Sequence, residues 1–138
     1  MRNNMEVFDQ LTGKIFGRVF EAFPSSRELS SSKMLAEFVE PDDFDGSWDF
    51  DDVFRHTIEW LDRHDYIWVK DDLTTMGDSW SFEITLTERS LEILRKTPDS
   101  LKGSETLGER FVAFSKAKAS DAVGNLVSLA ITTAIAGA

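Results

Sequence analysis

The chain holds two histidines, His56 and His64, and no cysteine. Thiolate nucleophiles, thiolate metal sites and disulfides are therefore excluded. The histidines lie eight residues apart, and only Glu59 stands one helical turn from His56. A metal site on a helix needs several ligands converging at spacings of three and four. Both histidines read instead as polar residues on a helix edge. The segment PDDFDGSWDFDD sets Asp43, Asp45, Gly46 and Asp52 at positions 3, 5, 6 and 12 of a calcium-type loop. Pro41 takes the first position, which must supply a ligand, and Asp52 replaces the longer bidentate glutamate. These acids suit a helix start better, where negative charge meets the positive end of the dipole. No serine stands in a nucleophile-elbow setting, and LTGKIFG lacks the spacing of a phosphate loop. The expectation is a non-enzymatic protein with no metal and no cofactor.

What chemistry remains is charge. The net charge is −10. Residues 37–83 hold fifteen acids against Arg55, Arg63 and Lys70, whereas the segments on either side are balanced to within one charge. The N-terminus MRNNMEVFDQ is polar and lacks the apolar core of a signal peptide, so a cytoplasmic protein is expected. Composition is that of a globular chain, 41% hydrophobic and 12% aromatic.

Hydrophobic spacing places the elements. In MEVFDQLTGKIFGRVFEAF, Val7, Phe8, Leu11, Ile15, Phe16, Val19, Phe20 and Phe23 recur at threes and fours, which predicts a helix ended by Pro24. SSRELSS is an edge strand or a turn. SSKMLAEFVE is a second helix, capped by Ser31 or Ser32, with Met34, Leu35 and Phe38 inward. A loop follows, and Asp49 is placed to cap a third helix, FDDVFRHTIEWLDRH. Its inward arc carries Phe50, Val53, Phe54, Thr57, Trp60 and Leu61. Its outward arc carries Asp51, Asp52, Arg55, Glu59, Asp62 and Arg63. YIWVK is a strand, DDLTTMGD a tip bearing Asp71 and Asp72, and WSFEITL a returning strand with Trp80, Phe82, Ile84 and Leu86 on one face. TERSLEILRK is a further helix, capped by Thr87, with Leu91 and Leu94 as its core contacts.

This order of helix, strand or turn, helix, helix, strand, hairpin tip, strand and helix resembles winged helix-turn-helix domains. ITLTERSLEIL is similar to the LT-x-x-G-x-x-x-L ending that follows the wing in many bacterial regulators, with Ser90 in the glycine position. IFGRVFEAFP, IEWLDRHDYI and LGERF also look like segments of uncharacterised bacterial proteins of this build. The resemblance covers roughly residues 5–97 and implies an α+β fold of three helices and a β-hairpin wing. The expected layout is a winged-helix domain over 1–98, a linker over 99–105 and one long C-terminal helix over 106–138, capped by Ser104.

The resemblance also implies DNA binding, and the charges oppose it. Nucleic-acid affinity comes largely from lysines and arginines that neutralise phosphates. The outward arc offers Arg55 and Arg63 against Asp51, Asp52, Glu59 and Asp62, and the hairpin offers Lys70 against Asp71, Asp72 and Asp78. A basic patch elsewhere would have to come from Arg2, Lys14, Arg18 and Arg27.

Residues 122–138 carry no charge, and Ser120, Gly124, Ser128, Thr132 and Ala136 form a four-spaced stripe of small residues. Such a stripe lets two helices approach closely. The expected function is a protein-interaction or adaptor module. Its acidic face (Asp51, Asp52, Arg55, Glu59, Asp62, Arg63, Asp71, Asp72) meets a protein partner, and its C-terminal stripe drives oligomer formation or docking. The alternatives are a DNA-binding transcriptional regulator and a membrane-acting effector that uses the apolar C-terminus.

Overall fold

A computed structural model of the chain describes residues 4–38, 47–75, 79–97, 105–116 and 123–136. The described residues form an α+β fold of six helices and one three-stranded antiparallel sheet. Helix α1 (Asn4–Ala22) is its axis, burying Val7, Leu11, Ile15, Phe16 and Val19 at the spacings read from the sequence. Strand β1 (Arg27–Ser30) leads directly into α2 (Ser31–Phe38). The cap of α2 is Ser30, one residue earlier than expected, because its Oγ accepts the Lys33 amide at 3.4 Å.

Helix α3 (Ser47–Arg63) begins two residues before Asp49, so Asp49 lies in its first turn and does not cap it. Phe50, Phe54, Thr57 and Leu61 are buried as expected, but Ile58 completes the inward face where Trp60 was placed. Trp60 sits at the rim, 37% exposed, with Phe8 edge-on and the His64 ring stacked on it at 4.1 Å. The helix ends in a double-bonded cap: the Tyr66 amide bonds to the Leu61 carbonyl at 2.8 Å and the Asp65 amide to the Asp62 carbonyl at 3.1 Å. This geometry needs a left-handed residue, usually glycine, and Asp65 supplies it with φ 65°.

Strands β2 (Ile67–Asp72) and β3 (Ser81–Leu86) form a hairpin, and the sheet order is β1-β3-β2. Phe82, Ile84 and Leu86 face the helices as the alternation predicts. Helix α4 (Glu88–Leu94) is capped by Thr87, whose Oγ1 accepts from the Ser90 amide and donates to the Asp65 carbonyl at 2.7 Å. Ser90 is buried and donates its hydroxyl to the Tyr66 carbonyl, a bond that a glycine there could not make. Leu94 is buried as expected, whereas Leu91 is half-buried and Ile93 takes the core position.

A single long C-terminal helix is not shown among the described residues. Two helices stand in its place, α5 (Leu107–Lys116) and α6 (Val123–Ala136). Thr106 and Glu109 cap α5 reciprocally: the Glu109 amide donates to Thr106 Oγ1 at 3.1 Å and the Thr106 amide to Glu109 Oε1 at 3.0 Å. That pair fixes the helix start after Thr106, while Ser104 lies outside the described residues. Both helices return to the domain, α5 onto α1 and α6 onto α1 and α4. Leu107, Phe111, Phe114, Val127 and Ala130 belong to the same hydrophobic core as α1 and the sheet. Two glycines permit the α1–α5 contact. A Cβ on Gly17 would stand 2.3 Å from the Phe111 carbonyl oxygen, and one on Gly108 would stand 2.5 Å from the Phe20 ring.

Candidate functional site

The outward arc of α3 is where the expected acidic face begins. Asp52, Glu59, Asp62 and Arg63 are exposed, and Asp51 and Arg55 are half-buried. Arg55 is not free to meet a phosphate. Its guanidinium bonds to Glu59 at 2.8 Å, contacts His56 Nε2 at 3.0 Å and lies 4.9 Å from the Trp80 ring centroid. Asp62 accepts the Val69 amide at 3.2 Å, so it satisfies an outward N–H on edge strand β2 and ties α3 to the hairpin. Asp72 closes a local turn by accepting the Thr74 amide at 2.9 Å. Among the described residues, the side chains of Asp51, Asp52, Arg63 and Asp71 make no hydrogen bond or ion pair. The eight residues thus divide into a bonded set, Arg55, Glu59, Asp62 and Asp72, and a free set of three acids and one base.

The sheet adds carboxylates that no sequence spacing connects. Glu28 of β1 is directly opposite Glu83 of β3, and Glu83 is opposite Asp71 of β2. Residues opposite one another in antiparallel strands share a face, so the three form a row across the sheet, with strands about 4.8 Å apart. Ser81 Oγ donates to Glu28 at 3.1 Å and Ser26 Oγ donates to Glu83 at 2.7 Å. On the same face Trp68 is opposite Thr85 and remains 58% exposed. Glu28, Glu83 and Trp68 were not among the expected site residues. The only sequence signal for them is period-two alternation, which places Glu83 outward but cannot say what lies beside it.

Among the described N-terminal bases, Arg18 neighbours both Lys14 and Arg27, but burial and pairing leave little of this charge free. Lys14 is 1% exposed, with Nζ 3.4 Å from the Ser115 carbonyl oxygen and 5.4 Å from the Phe114 ring centroid. Burial lowers its pKa below the usual lysine value, and the neighbouring Arg18 lowers it further. Arg18 is half-buried and paired with Glu37. Arg27 is exposed on β1, and Arg2 lies outside the described residues.

The small-residue stripe is divided by the fold. Gly124 faces Asp9 of α1, where a Cβ would stand 3.2 Å from the carboxylate, while Ser128 and Thr132 point to solvent. Ser120 and the side chain of Ala136 lie outside the described residues. The line beside the stripe, Val127 and Ala130, is the buried one, and Ala130 meets Phe16, Tyr66, Ile93 and Leu94 across a closed gap. At 14 residues α6 is about 21 Å long, short of the roughly 30 Å of a bilayer core. No described helix is long and apolar enough to cross a membrane. Among the described residues no three His, Cys, Asp or Glu side chains are grouped to hold a metal ion. Asp43, Asp45 and Gly46 of the calcium-like segment lie outside them.

No protein-family model, no curated protein and no solved structure matches the chain.

Proposed function

We propose that the chain is a non-enzymatic interaction module of winged-helix build whose acidic surface engages a basic protein partner. The element order supports the build: a helix, a strand, two helices and a β-hairpin, with the first strand completing a three-stranded sheet beside that hairpin. The observation that carries the function is the state of Arg55. In a DNA-binding domain of this build the third helix needs free cations on its outward arc. Here Arg55 is held by Glu59 and Trp80, and Asp52 and Glu59 are exposed beside it. With Lys14 buried and Arg18 paired, the described N-terminal bases do not supply the several free cations that phosphate binding requires. Complementary charge on a protein partner would set association rate and specificity.

Charge reversal on the arc tests this reading. An Asp51→Lys, Asp52→Lys variant should acquire non-specific duplex binding at low salt in an electrophoretic shift, whereas the parent chain should show none. A shift by the parent chain at low salt would retire the reading in favour of a DNA-binding regulator.

A further inference from the structure

We propose that the outer face of the sheet, where Trp68 lies beside the in-register carboxylates of Glu28, Glu83 and Asp71, docks an extended arginine- or lysine-bearing segment of a protein partner. This rests on the reading that the partner is a basic protein, and it assigns the contact to a face distinct from the arc of α3.

On this face Glu28, Trp68 and Asp71 are exposed and Glu83 is half-buried, while Thr85 opposite Trp68 is buried. Leu29, Ile67, Phe82, Ile84 and Leu86 turn the opposite face to the helices and are buried there. Like charges directly opposite one another destabilise a sheet. The row places two such pairs side by side, and no described cation forms an ion pair with any of its three members. The two nearest bases do not neutralise it. Lys70 stands where the β2 register shifts between Val69 and Asp71, exposed and without an ion pair, and Arg27 falls on the register position opposite Ile84, which belongs to the other face. Like charges set in register ordinarily repel, and a cationic ligand would relieve that.

Trp68 says more about the ligand than the charge does. An exposed indole beside carboxylates offers a cation its π-face and its counter-charge together. Guanidinium groups use both, by stacking on the ring and forking onto a carboxylate. The row spans two strand spacings, about 10 Å, and alternate side chains of an extended segment stand about 7 Å apart, so two arginines reach it at once. A polyanion such as DNA would be repelled, and the row is not grouped tightly enough to hold a metal ion.

The probe is a synthetic peptide alternating arginine and alanine, titrated calorimetrically into the intact chain at low salt. Three variants accompany it: Glu28→Gln with Glu83→Gln in the row, Trp68→Ala beside it, and the charge-matched Asp51→Asn with Asp52→Asn on α3. Removing two row charges should weaken binding about tenfold, as two exposed charge contacts would, and should raise the melting temperature by relieving the repulsion. Trp68→Ala should weaken binding as well, and the α3 pair by no more than about twofold through net charge alone. Equal losses in the row and α3 variants would overturn the assignment to the sheet. A loss in the α3 variant alone would also overturn it while leaving the basic-partner reading intact. No binding by the parent chain would overturn both.

Discussion

The two sides of the sheet make opposite use of their residues. On the inner side, α1 and α5 approach until a methyl group at Gly17 would collide with backbone, and Phe111 packs edge-on to Phe16 at 5.4 Å. On the outer side, three carboxylates are set opposite one another and a tryptophan is left in water. One side is packed at nearly every position, and the other sets like charges in register, an arrangement that ordinarily costs stability. Proteins carry such local conflict where function requires it, which is the ground for proposing the outer side as a docking surface.

Substitutions can break or sharpen that contrast. The largest effect belongs to Phe111→Ala, which removes a fully buried ring between α5 and α1 and should cost about 3–5 kcal/mol in chemical denaturation. A cost below about 1 kcal/mol would mean that α5 does not belong to the core. Gly17→Ala comes next. Helix propensity alone would make it stabilising by about 1 kcal/mol. The 2.3 Å approach to the Phe111 carbonyl should outweigh that gain, since overpacking costs about 1–3 kcal/mol and backbone cannot rotate aside. Even the sign of the measured change is therefore decisive. Thr106→Ala dissolves the reciprocal cap of α5 and should cost about 1 kcal/mol, visible as a lower melting temperature with an unchanged denaturant slope. Smallest, and opposite in sign, is Glu83→Gln, which keeps an acceptor for Ser26 while removing the central charge of the row. It should stabilise the chain by about 0.2–1 kcal/mol. Destabilisation there would mean that the row is already neutralised in the free protein.

Local pattern made the inner side largely legible in the sequence. The spacing of Val7, Leu11, Ile15 and Val19 specifies the buried face of α1, and the alternation of Phe82, Ile84 and Leu86 specifies that of β3. Thr87 was readable as a cap because its hydroxyl stands three residues from the amide it accepts. In the tail, helical spacing from Leu107 onward predicts one helix over 106–138, whereas the described residues form two. The TLGE box at Thr106–Glu109 marks where the first of these helices starts and carries no signal for the second. A helical wheel centred on Phe50 admits Trp60 and Ile58 equally, and only tertiary packing buries Ile58 and leaves Trp60 at the rim. Beyond the alternation that turns Glu83 outward, the carboxylate row had no sequence signal. Glu28 and Glu83 are 55 residues apart, and strand register alone brings them together. Acid counted along the chain identified residues 37–83 but missed Glu28, which that count assigned to a balanced segment.

A single paired titration tests the central claim, that this surface selects basic protein over nucleic acid. Fluorescence anisotropy of the intact chain at low salt, against a labelled arbitrary DNA duplex and a labelled arginine–alanine peptide, compares the two ligands under one condition. The account predicts saturable binding of the peptide that weakens as salt rises, and a flat response to the duplex. Saturable duplex binding, with affinity falling steeply against the logarithm of salt and no response to the peptide, would contradict it.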